Sequence, residues 1–474
     1  MRELEDHYEE EYIYLADLTC DAALISWGKF FFNSKMKLVE DRKVHMFDGQ
    51  LGRHTSIGTH CESYGPVTVE VADATSSVVQ RVHTTNTFAW VTGLASDTVY
   101  TYRVVAHETG GDRQWAGDPL ASYHQGAKEL VPTGQTYACT FRTFPNPSSS
   151  ADVTFIVIGD TGTAASEQLA VAAAMERVVA KRDVRFVIMV GDTIYAKSGS
   201  SGDDDFEWLT TYFQPYRMLI DRIPFYPCMG NHDTNEGFSF LGIGTREKQQ
   251  DRLTLYDNML VVPRFMAPGR PPSRPDGDAS ISPGLFYRFR FGRGIEFVCL
   301  DSSKEKTVSD KRLFEFSKHQ GWLTRALEAP LGGLTWRIPF SHHPPYCKGP
   351  QHDDDETNLR HQVMSQCERN GVRAFFSGHE HNFQCIDSPG DSHVRCFVTG
   401  GGGGFRTSTP SIETDGHLQA WGGNDRAHFL VVTISGAKMT VEPIAGDGKP
   451  VPLFDRTNTP VSFTSVQVGS SVAH

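Results

Sequence analysis

Five short motifs rich in aspartate, asparagine, histidine and tyrosine each follow an apolar run in the chain. The five motifs are Gly159-Asp160-Thr161-Gly162, Gly191-Asp192-Thr193-Ile194-Tyr195, Gly230-Asn231-His232-Asp233, Ser341-His342-His343-Pro344-Pro345 and Gly378-His379-Glu380-His381. Hard oxygen donors combined with imidazole nitrogen suit iron, zinc or manganese, and such ions activate water for hydrolysis. Taken together, the motifs indicate a metal site.

Each motif on its own has a simpler interpretation. Gly-Asp after a strand is typical of a turn, and Gly-Asn-His suits a loop with Asx-type hydrogen bonds. His379 and His381 could be strand residues with no shared role. All five motifs together favour a metal site over separate turns and loops, because each follows a predicted strand and ligands of open α/β sheets bind beyond the carboxyl ends of strands.

Buried strands and helices are predicted to position these motifs. The apolar run 153–158 predicts a strand buried on both faces, and 185–190 predicts the next one. Between them, 166–182 predicts a helix with an apolar face of Leu169, Ala172, Ala173, Val178 and Val179. This is a βαβ unit with a right-handed crossover. Later strands are predicted at 295–300, 336–340, 372–376 and 394–399, helices near 206–221, 312–328 and 357–370, and a hairpin at 429–434 and 439–442.

The first part of the chain has a different pattern. Short β-branched and aromatic runs at 23–27, 67–71, 87–91 and 94–104 are separated by turn residues, which is typical of a β-sandwich. Tyr100, Tyr102 and Val104 alternate and should share one strand face. A Pro/Ser-rich stretch at 144–150 reads as a linker. We therefore predict an all-β sandwich over 1–147 and an α/β domain over 151–474, built from βαβ units as a four-layer sandwich that includes the C-terminal hairpin.

Composition limits the classes of partner and compartment. The net charge is 45 − 57 = −12, which disfavours a nucleic acid partner, and no apolar run approaches the ~18 residues of a membrane span. The N-terminus shows no secretion signal, so we expect a cytoplasmic protein or a mature secreted form. Nine cysteines without a Cys-x-x-Cys pair favour reduced thiols. A bridge between Cys385 and Cys396, across the turn at 389–391, is the alternative left open.

The order and spelling of the five motifs resemble the calcineurin-like metallophosphoesterases, and among these the purple acid phosphatases. That family reads Asp-x-Gly, Gly-Asp-x-x-Tyr, Gly-Asn-His, His-x-Pro and Gly-His-x-His, and all five blocks are present between Asp160 and His381. The tyrosine of the second block, Tyr195, is the most specific element. The predicted β-sandwich resembles the fibronectin-III-like domain of plant-type members, and the glycine run 400–404 also fits the family.

The resemblance implies a ligand for each motif. Asp160, Tyr195 and His381 would bind Fe(III). A divalent ion (Zn, Fe or Mn) would be bound by Asn231, His342 and His379. Asp192 would bridge both ions. Family spacing selects His342 rather than His343, because the ligand stands two residues before proline. A trivalent ion would hold the Tyr195 phenolate, which otherwise forms only near pH ~10, and would colour the protein.

The resemblance also implies phosphomonoester hydrolysis, in which a metal-bound hydroxide attacks phosphorus with histidine assistance. His232 would contact the phosphate, with a structural loop histidine as its alternative interpretation. His352 is the candidate acid for the leaving group, with His343 as competitor and His361 further off. Glu380 and Asp233 receive no role, and the acidic run 353–356 is interpreted as a solvated loop, as is 266–284.

Other functions share these features. A phosphodiesterase or nucleotide pyrophosphatase would use the same metal core, and an adhesion or binding protein would retain a vestigial site. A redox role of the iron is a third alternative. All seven ligand positions are filled, which argues against a decayed site. We expect a small phosphorylated substrate as the partner, and a homodimer is compatible with the sequence.

Overall fold

The computed structural model describes most of the two predicted parts of the chain. The described residues are 6–33, 38–44, 66–115, 138–195, 208–233, 286–302, 304–306, 312–314, 320–328, 333–348, 352, 359–388, 394–403, 427–455, 459–462 and 464–469. The loops 266–284 and 353–356 lie outside these residues. No helix within these ranges is long and apolar enough to cross a membrane.

The first 150 residues contain strands and no helix over the part that is described. These strands are β1 Asp6–Leu18, β2 Ala22–Asn33, β3 Leu38–Val44, β4 Val67–Ala72, β5 Val78–Thr84, β6 Phe88–Thr92, β7 Val99–Glu108, β8 Gly111–Gln114 and β9 Thr140–Arg142. One sheet has the order β1-β2-β3 with β6 paired to β2, and the other has β5-β4-β7-β8 with β9 paired to β7. The four predicted strand runs overlap β2, β4, β6 and β7.

Strand β7 shows why this part folds as packed sheets. Tyr100, Tyr102 and Val104 are buried on one face, as their alternation predicts, while Val99 and Arg103 are exposed. The buried face joins a core that includes Trp27 of β2. The all-β character of this part is therefore observed, whereas the boundary at residue 147 and the likeness to fibronectin III remain predictions.

The second part contains two mixed sheets. Its strands are β10 Val153–Ile158, β11 Val184–Met189, β12 Phe225–Pro227, β13 Tyr287–Phe291, β14 Ile295–Cys299, β15 Lys304–Lys306, β16 Arg312–Phe314, β17 Trp336–Phe340, β18 Ala374–Ser377, β19 Phe383–Asp387, β20 Arg395–Thr399, β21 His428–Ser435, β22 Lys438–Ala445 and β23 Val466–Gly469. The two six-stranded sheets have the orders β12-β11-β10-β21-β22-β23 and β13-β14-β17-β18-β20-β19. Strands β10, β11 and β12 run parallel, and so do β14, β17, β18 and β20.

Helices cover the outer faces of these sheets. The described α-helices are α1 Ser166–Val179, α2 Gln214–Ile220, α3 Gln320–Glu328 and α4 Ser365–Arg369, with π-helical turns at Leu209–Phe213 and Arg360–Met364. Phe155 and Val157 of β10 enter the core between the sheets, while Ile156 and Ile158 pack with α1 and α2. Both faces of β10 are therefore buried, which explains its continuous apolar run. The layers are helices, sheet, sheet and helices.

Two details differ from the predicted helices. Helix α1 ends at Val179. Ala172 is buried and Val178 and Val179 pack against the core, as predicted, but Leu169 is 41% exposed. Gln168 is buried instead and donates to the Thr211 carbonyl. Residues 312–314, predicted as helix, form β16, because they pair in a hairpin with β15. That cross-strand pairing outweighs the local helical pattern.

Cys385 and Cys396, the pair left open as a disulfide, are not bridged. Cys385 pairs with Phe397, whereas Cys396 pairs with Ile386, so the two residues are offset by one position across the hairpin. Side chains one position apart point to opposite faces of a sheet. Cys385 accordingly lies in the core between the sheets and Cys396 in the core under α3 and α4, and both are free.

The two parts of the chain pack closely against each other. Tyr12 and Tyr14 of β1 join the core under α1 and α2. Tyr102 donates a hydrogen bond of 2.7 Å to the Asp221 carbonyl at the end of α2, and Tyr226 of β12 donates one of 2.8 Å to Asp17. The N-terminal strands therefore support the face of the first mixed sheet that carries α2.

Candidate metal centre

The carboxyl ends of β10, β11, β12, β17 and β18 meet at one edge, and the five motifs follow these ends. All seven predicted ligands lie there, namely Asp160, Asp192, Tyr195, Asn231, His342, His379 and His381. Their donor atoms form two groups. Parallel strands explain this convergence, because they bring their carboxyl ends to the same side of the sheet.

The first group contains Asp160, Tyr195 and His381. The Tyr195 Oη lies 3.1 Å from Asp160 Oδ1 and 2.9 Å from His381 Nε2. His381 Nε2 is also 3.4 Å from Asp160 Oδ1. A carboxylate oxygen, a phenol oxygen and an imidazole nitrogen thus converge within hydrogen-bond distance of one another.

The second group is centred on His342. Its Nε2 lies 2.9 Å from Asn231 Oδ1, 3.1 Å from His379 Nδ1 and 3.4 Å from Asp192 Oδ2. The other nitrogen, Nδ1, is 2.9 Å from the Val190 carbonyl. A carbonyl only accepts, so Nδ1 carries the proton and Nε2 presents its lone pair to the group.

Asp192 lies between the two groups. Donor atoms of Asp160, Asp192 and His342 all fall within 4.8 Å of one another. The Asp192 Oδ1 accepts the backbone N–H of His232 at 2.9 Å, which leaves Oδ2 directed toward the ligands. Asp160 is arranged in the same way, since Oδ2 accepts the His379 N–H at 2.9 Å and Oδ1 faces Tyr195. Each aspartate therefore keeps one oxygen for a ligand position.

The electrostatics of the site favour cations. Burial, together with the nearby Asp160 carboxylate, raises the pKa of Asp192 well above its usual range. Burial and the same carboxylate raise the pKa of the Tyr195 phenol as well. Bound cations reverse such shifts, since they favour the deprotonated ligand. With its oxygen and imidazole donors, the site fits a pair of metal ions such as iron, zinc or manganese.

Three of the ligands have backbone conformations that are rare outside glycine. The φ angles of Asp160, Asp192 and His379 are +56°, +53° and +74°. Such conformations cost of order 1–3 kcal/mol each and persist only where the surrounding structure holds them. Here the left-handed turn directly after the strand aims each side chain into the site.

Close packing explains the glycines of two motifs. A Cβ on Gly230 would overlap the Asp192 carboxylate, and a Cβ on Gly378 would lie 2.5 Å from Asp160 Oδ2. Both positions exclude any side chain. The Gly-Asn-His and Gly-His-x-His spellings thus have a steric cause.

Asp233, which received no role from the sequence, connects two of the motifs. Its Oδ1 accepts the backbone N–H groups of Thr193 at 2.8 Å and Ile194 at 3.2 Å. Its Oδ2 accepts those of Asp192 at 2.9 Å and Gly230 at 2.8 Å. Burial raises the pKa of this carboxyl to about 6. Asp233 therefore fixes the loop of Asp192 to the loop of Asn231.

The candidate catalytic histidines occupy different positions. His232 is exposed, and its ring centroid lies 4.6 Å from that of Tyr195. His352 is half-buried, and its ring lies 3.8 Å from the ring of His379 at an interplanar angle of 31°. His361 is exposed on the π-helical turn Arg360–Met364. Two of the three thus lie directly beside predicted ligands.

His343 is buried and held by a residue that the sequence analysis overlooked. Its backbone N–H donates to Ser302 Oγ at 3.0 Å, and its Nδ1 lies 3.1 Å from the same oxygen. Ser302 follows β14, which pairs with β17. The strand predicted at 295–300 ends just before Ser302, and this position after a strand end could have identified Ser302 as a residue near the site.

Glu380 contacts the backbone of His352, the candidate acid. It is buried, and its Oε2 accepts the backbone N–H of His352 at 3.0 Å. This contact could not be predicted from local patterns, because the two residues are 28 positions apart.

Comparison with known proteins agrees with this geometry. Residues 153–383 match the family model described as calcineurin-like phosphoesterase. Purple acid phosphatase 7 of Arabidopsis thaliana is 27% identical over 279 residues, which cover 58% of this chain and 74% of that protein. This part of the chain is therefore similar to calcineurin-like phosphoesterases, and all seven predicted ligands lie within the matched residues.

Solved structures share the fold at low identity. A purple acid phosphatase from yellow lupin (Lupinus luteus) seeds has a TM-score of 0.61 and 14% identity, covering 97% of this chain and 74% of that one. The structure of PhoD has a TM-score of 0.62 and 13% identity, covering 96% of this chain and 92% of that one. The fold of the whole chain is thus similar to both.

Proposed function

We propose that this chain is a dinuclear-metal hydrolase of phosphomonoesters with acid phosphatase activity. The observation that carries the proposal is the pair of ligand groups joined by Asp192 at the edge of the sheets. The matched phosphoesterase family and the purple acid phosphatase relative support the same reaction class.

Each group of ligands is assigned one ion. Asp160, Tyr195 and His381 would hold Fe(III), while Asn231, His342 and His379 would hold Zn, Fe or Mn, and Asp192 would link the two. When bound, such a pair polarises phosphoryl oxygens and lowers the pKa of water. The chain's own contribution is to fix these donors before substrate arrives, through the hydrogen bonds to Asp160, Asp192 and His342.

Two histidines would act on the substrate. The exposed His232 would bind a phosphate oxygen beside Tyr195, because its position at the edge of the site leaves the ring accessible. His352 would donate a proton to the leaving oxygen. It suits this role better than His343, since a half-buried ring can regain its proton from solvent while His343 is buried against Ser302.

The metal assignment is tested by a visible spectrum with metal analysis of the same sample. We expect two metals per chain, including iron, and a charge-transfer band that Tyr195→Phe removes. Tyr102→Phe is the matched control, because it removes a buried tyrosine hydroxyl far from the ligands and should leave the band unchanged. A colourless protein with two zinc or manganese ions would contradict the ferric assignment but not the proposed hydrolase activity.

The reaction class is tested with substrates. We expect the metal-loaded chain to hydrolyse a nitrophenyl phosphate monoester faster than the bis-nitrophenyl diester, with activity at acid pH. A preference for the diester would favour a phosphodiesterase on the same metal core. A chain that takes up no metal on titration would overturn the hydrolase proposal.

A further inference from the structure

Glu380 occupies the variable position of the Gly-His-x-His motif, between two predicted ligands. Its carboxylate is buried and accepts the backbone N–H of His352. A charge-assisted hydrogen bond to a carboxylate is stronger than one between neutral groups, and burial removes competing water. The contact therefore holds the His352 backbone tightly.

A second side chain holds the same loop from the same strand region. Gln384 Oε1 accepts the backbone N–H of Lys348 at 2.8 Å. The Gln384 amide in turn donates to Asn382 Oδ1 at 2.9 Å, which fixes its orientation. Glu380 and Gln384 are four residues apart, and so are His352 and Lys348. Each side chain of the first pair therefore accepts a backbone N–H from one residue of the second pair.

The Glu380 contact determines where the His352 ring lies. The ring stacks on His379, and His379 Nδ1 faces the His342 group. A proton donor must be held within about 0.5 Å of its productive position to be effective. Loss of the Glu380 contact would remove a backbone hydrogen bond that holds His352 beside His379.

We propose that Glu380 is a positioning residue that holds His352 as the proton donor, an inference that rests on the proposed phosphatase function. In the assisted step, the ester O–P bond breaks with its electron pair on the leaving oxygen, which takes the His352 proton. Water supplies the oxygen that bonds to phosphorus, and the proton that it loses returns to the imidazole through solvent. Glu380 touches neither substrate nor metal in this step.

Hydrogen exchange at the His352 amide tests the contact directly, with and without metal. We expect protection in the wild type, exchange about tenfold faster in Glu380→Ala, and retained protection in Glu380→Gln, whose amide oxygen still accepts. Gln384→Ala should expose the Lys348 amide and leave the His352 amide protected. An unprotected His352 amide in the wild type, or unchanged exchange in Glu380→Ala, would overturn the proposal even if another variant fails to fold.

The dependence on the leaving group separates positioning from a general structural effect. General acid catalysis is worth ~100-fold or more for a poor leaving group. Glu380→Ala should therefore slow hydrolysis of an alkyl phosphate at least ~10-fold, but that of nitrophenyl phosphate less than ~3-fold, and His352→Ala should show the same pattern. Glu442→Ala, which removes a carboxylate paired with Arg182 on the C-terminal hairpin, is the control.

The outcomes distinguish the two proposals. Equal loss on both substrates in Glu380→Ala would mean that Glu380 only supports the fold, and would overturn the positioning role. A wild-type chain that holds two metals but hydrolyses no phosphoester would overturn the proposed function, and with it the role of His352 as an acid. In that case the exchange data would still establish whether Glu380 holds the loop.

Discussion

Replacing Asp233 by asparagine is expected to weaken metal binding. The Asp233 carboxylate accepts four backbone N–H groups, two on each oxygen, from the loops that carry Asp192 and Asn231. In asparagine one of the two oxygens becomes an NH₂ group, which donates instead of accepting. Two N–H groups of these loops would then face a donor, and the loops must shift to avoid it.

The size of the effect follows from the number of lost acceptors. Each buried N–H group without an acceptor costs about 1–3 kcal/mol, so two of them cost about 2–6 kcal/mol if the loops stay in place. Movement of the Asp192 loop would relieve this cost, but it would also move the Asp192 carboxylate away from the predicted metal position. Changes to residues that orient ligands typically lower metal affinity about 10–100-fold, and we expect a loss in that range.

Chelator competition with Zn²⁺ measures the affinity, and urea unfolding of the metal-free chain measures the fold. The control is Asp73→Asn, since the Asp73 carboxylate also accepts backbone N–H groups, at 2.8 Å from Thr75 and 3.1 Å from Ser77, in a turn of the N-terminal sheets. Wild-type metal affinity in Asp233→Asn, or an equal loss in Asp73→Asn, would refute the reasoning.

Two further predictions concern the same site. Gly378→Ala should abolish binding of the metal at Asp160, because the new Cβ would lie 2.5 Å from Asp160 Oδ2 and 2.7 Å from the Val190 carbonyl. Metal analysis beside Gly110→Ala, where nothing lies within 4 Å of the Cβ, checks this. Metal binding should release protons, and the apparent affinity should fall as pH falls. Burial raises the pKa values of Asp192 and Tyr195, which favours their protonated forms, and a cation that binds the deprotonated forms displaces those protons. Calorimetry in buffers of different ionisation enthalpy measures the release, and a heat independent of the buffer would contradict it.

The sequence was sufficient to predict that the seven candidate residues converge, because buried strands and candidate ligands coincide at the same positions. Apolar runs such as that of β10 predict strands buried on both faces, and a parallel arrangement brings their carboxyl ends together. The motif residues then had to converge. The positive φ angles of Asp160, Asp192 and His379 were not predictable, because the turns that impose them depend on contacts between distant loops.

The errors came from contacts that local patterns do not contain. Leu169 was placed on the buried face of α1 because it is apolar, yet Gln168 took that face through its hydrogen bond to the Thr211 carbonyl. Residues 312–314 became a strand through pairing with β15. In each case a partner remote in sequence decided the outcome, and periodicity within one segment carries no information about such a partner.

The hydrogen bonds of the buried carboxylates separate two kinds of acid at this site. Asp160 and Asp192 each have one oxygen that accepts a backbone N–H and one that faces tyrosine or histidine donor atoms. Both oxygens of Asp233 accept backbone N–H groups instead. A buried carboxylate oxygen that faces other ligand atoms is stabilised by a bound cation. A carboxylate oxygen that accepts two backbone N–H groups already has its hydrogen-bond partners. By this criterion we predict that Asp160 and Asp192 bind metal, whereas Asp233 holds the loops that carry Asp192 and Asn231.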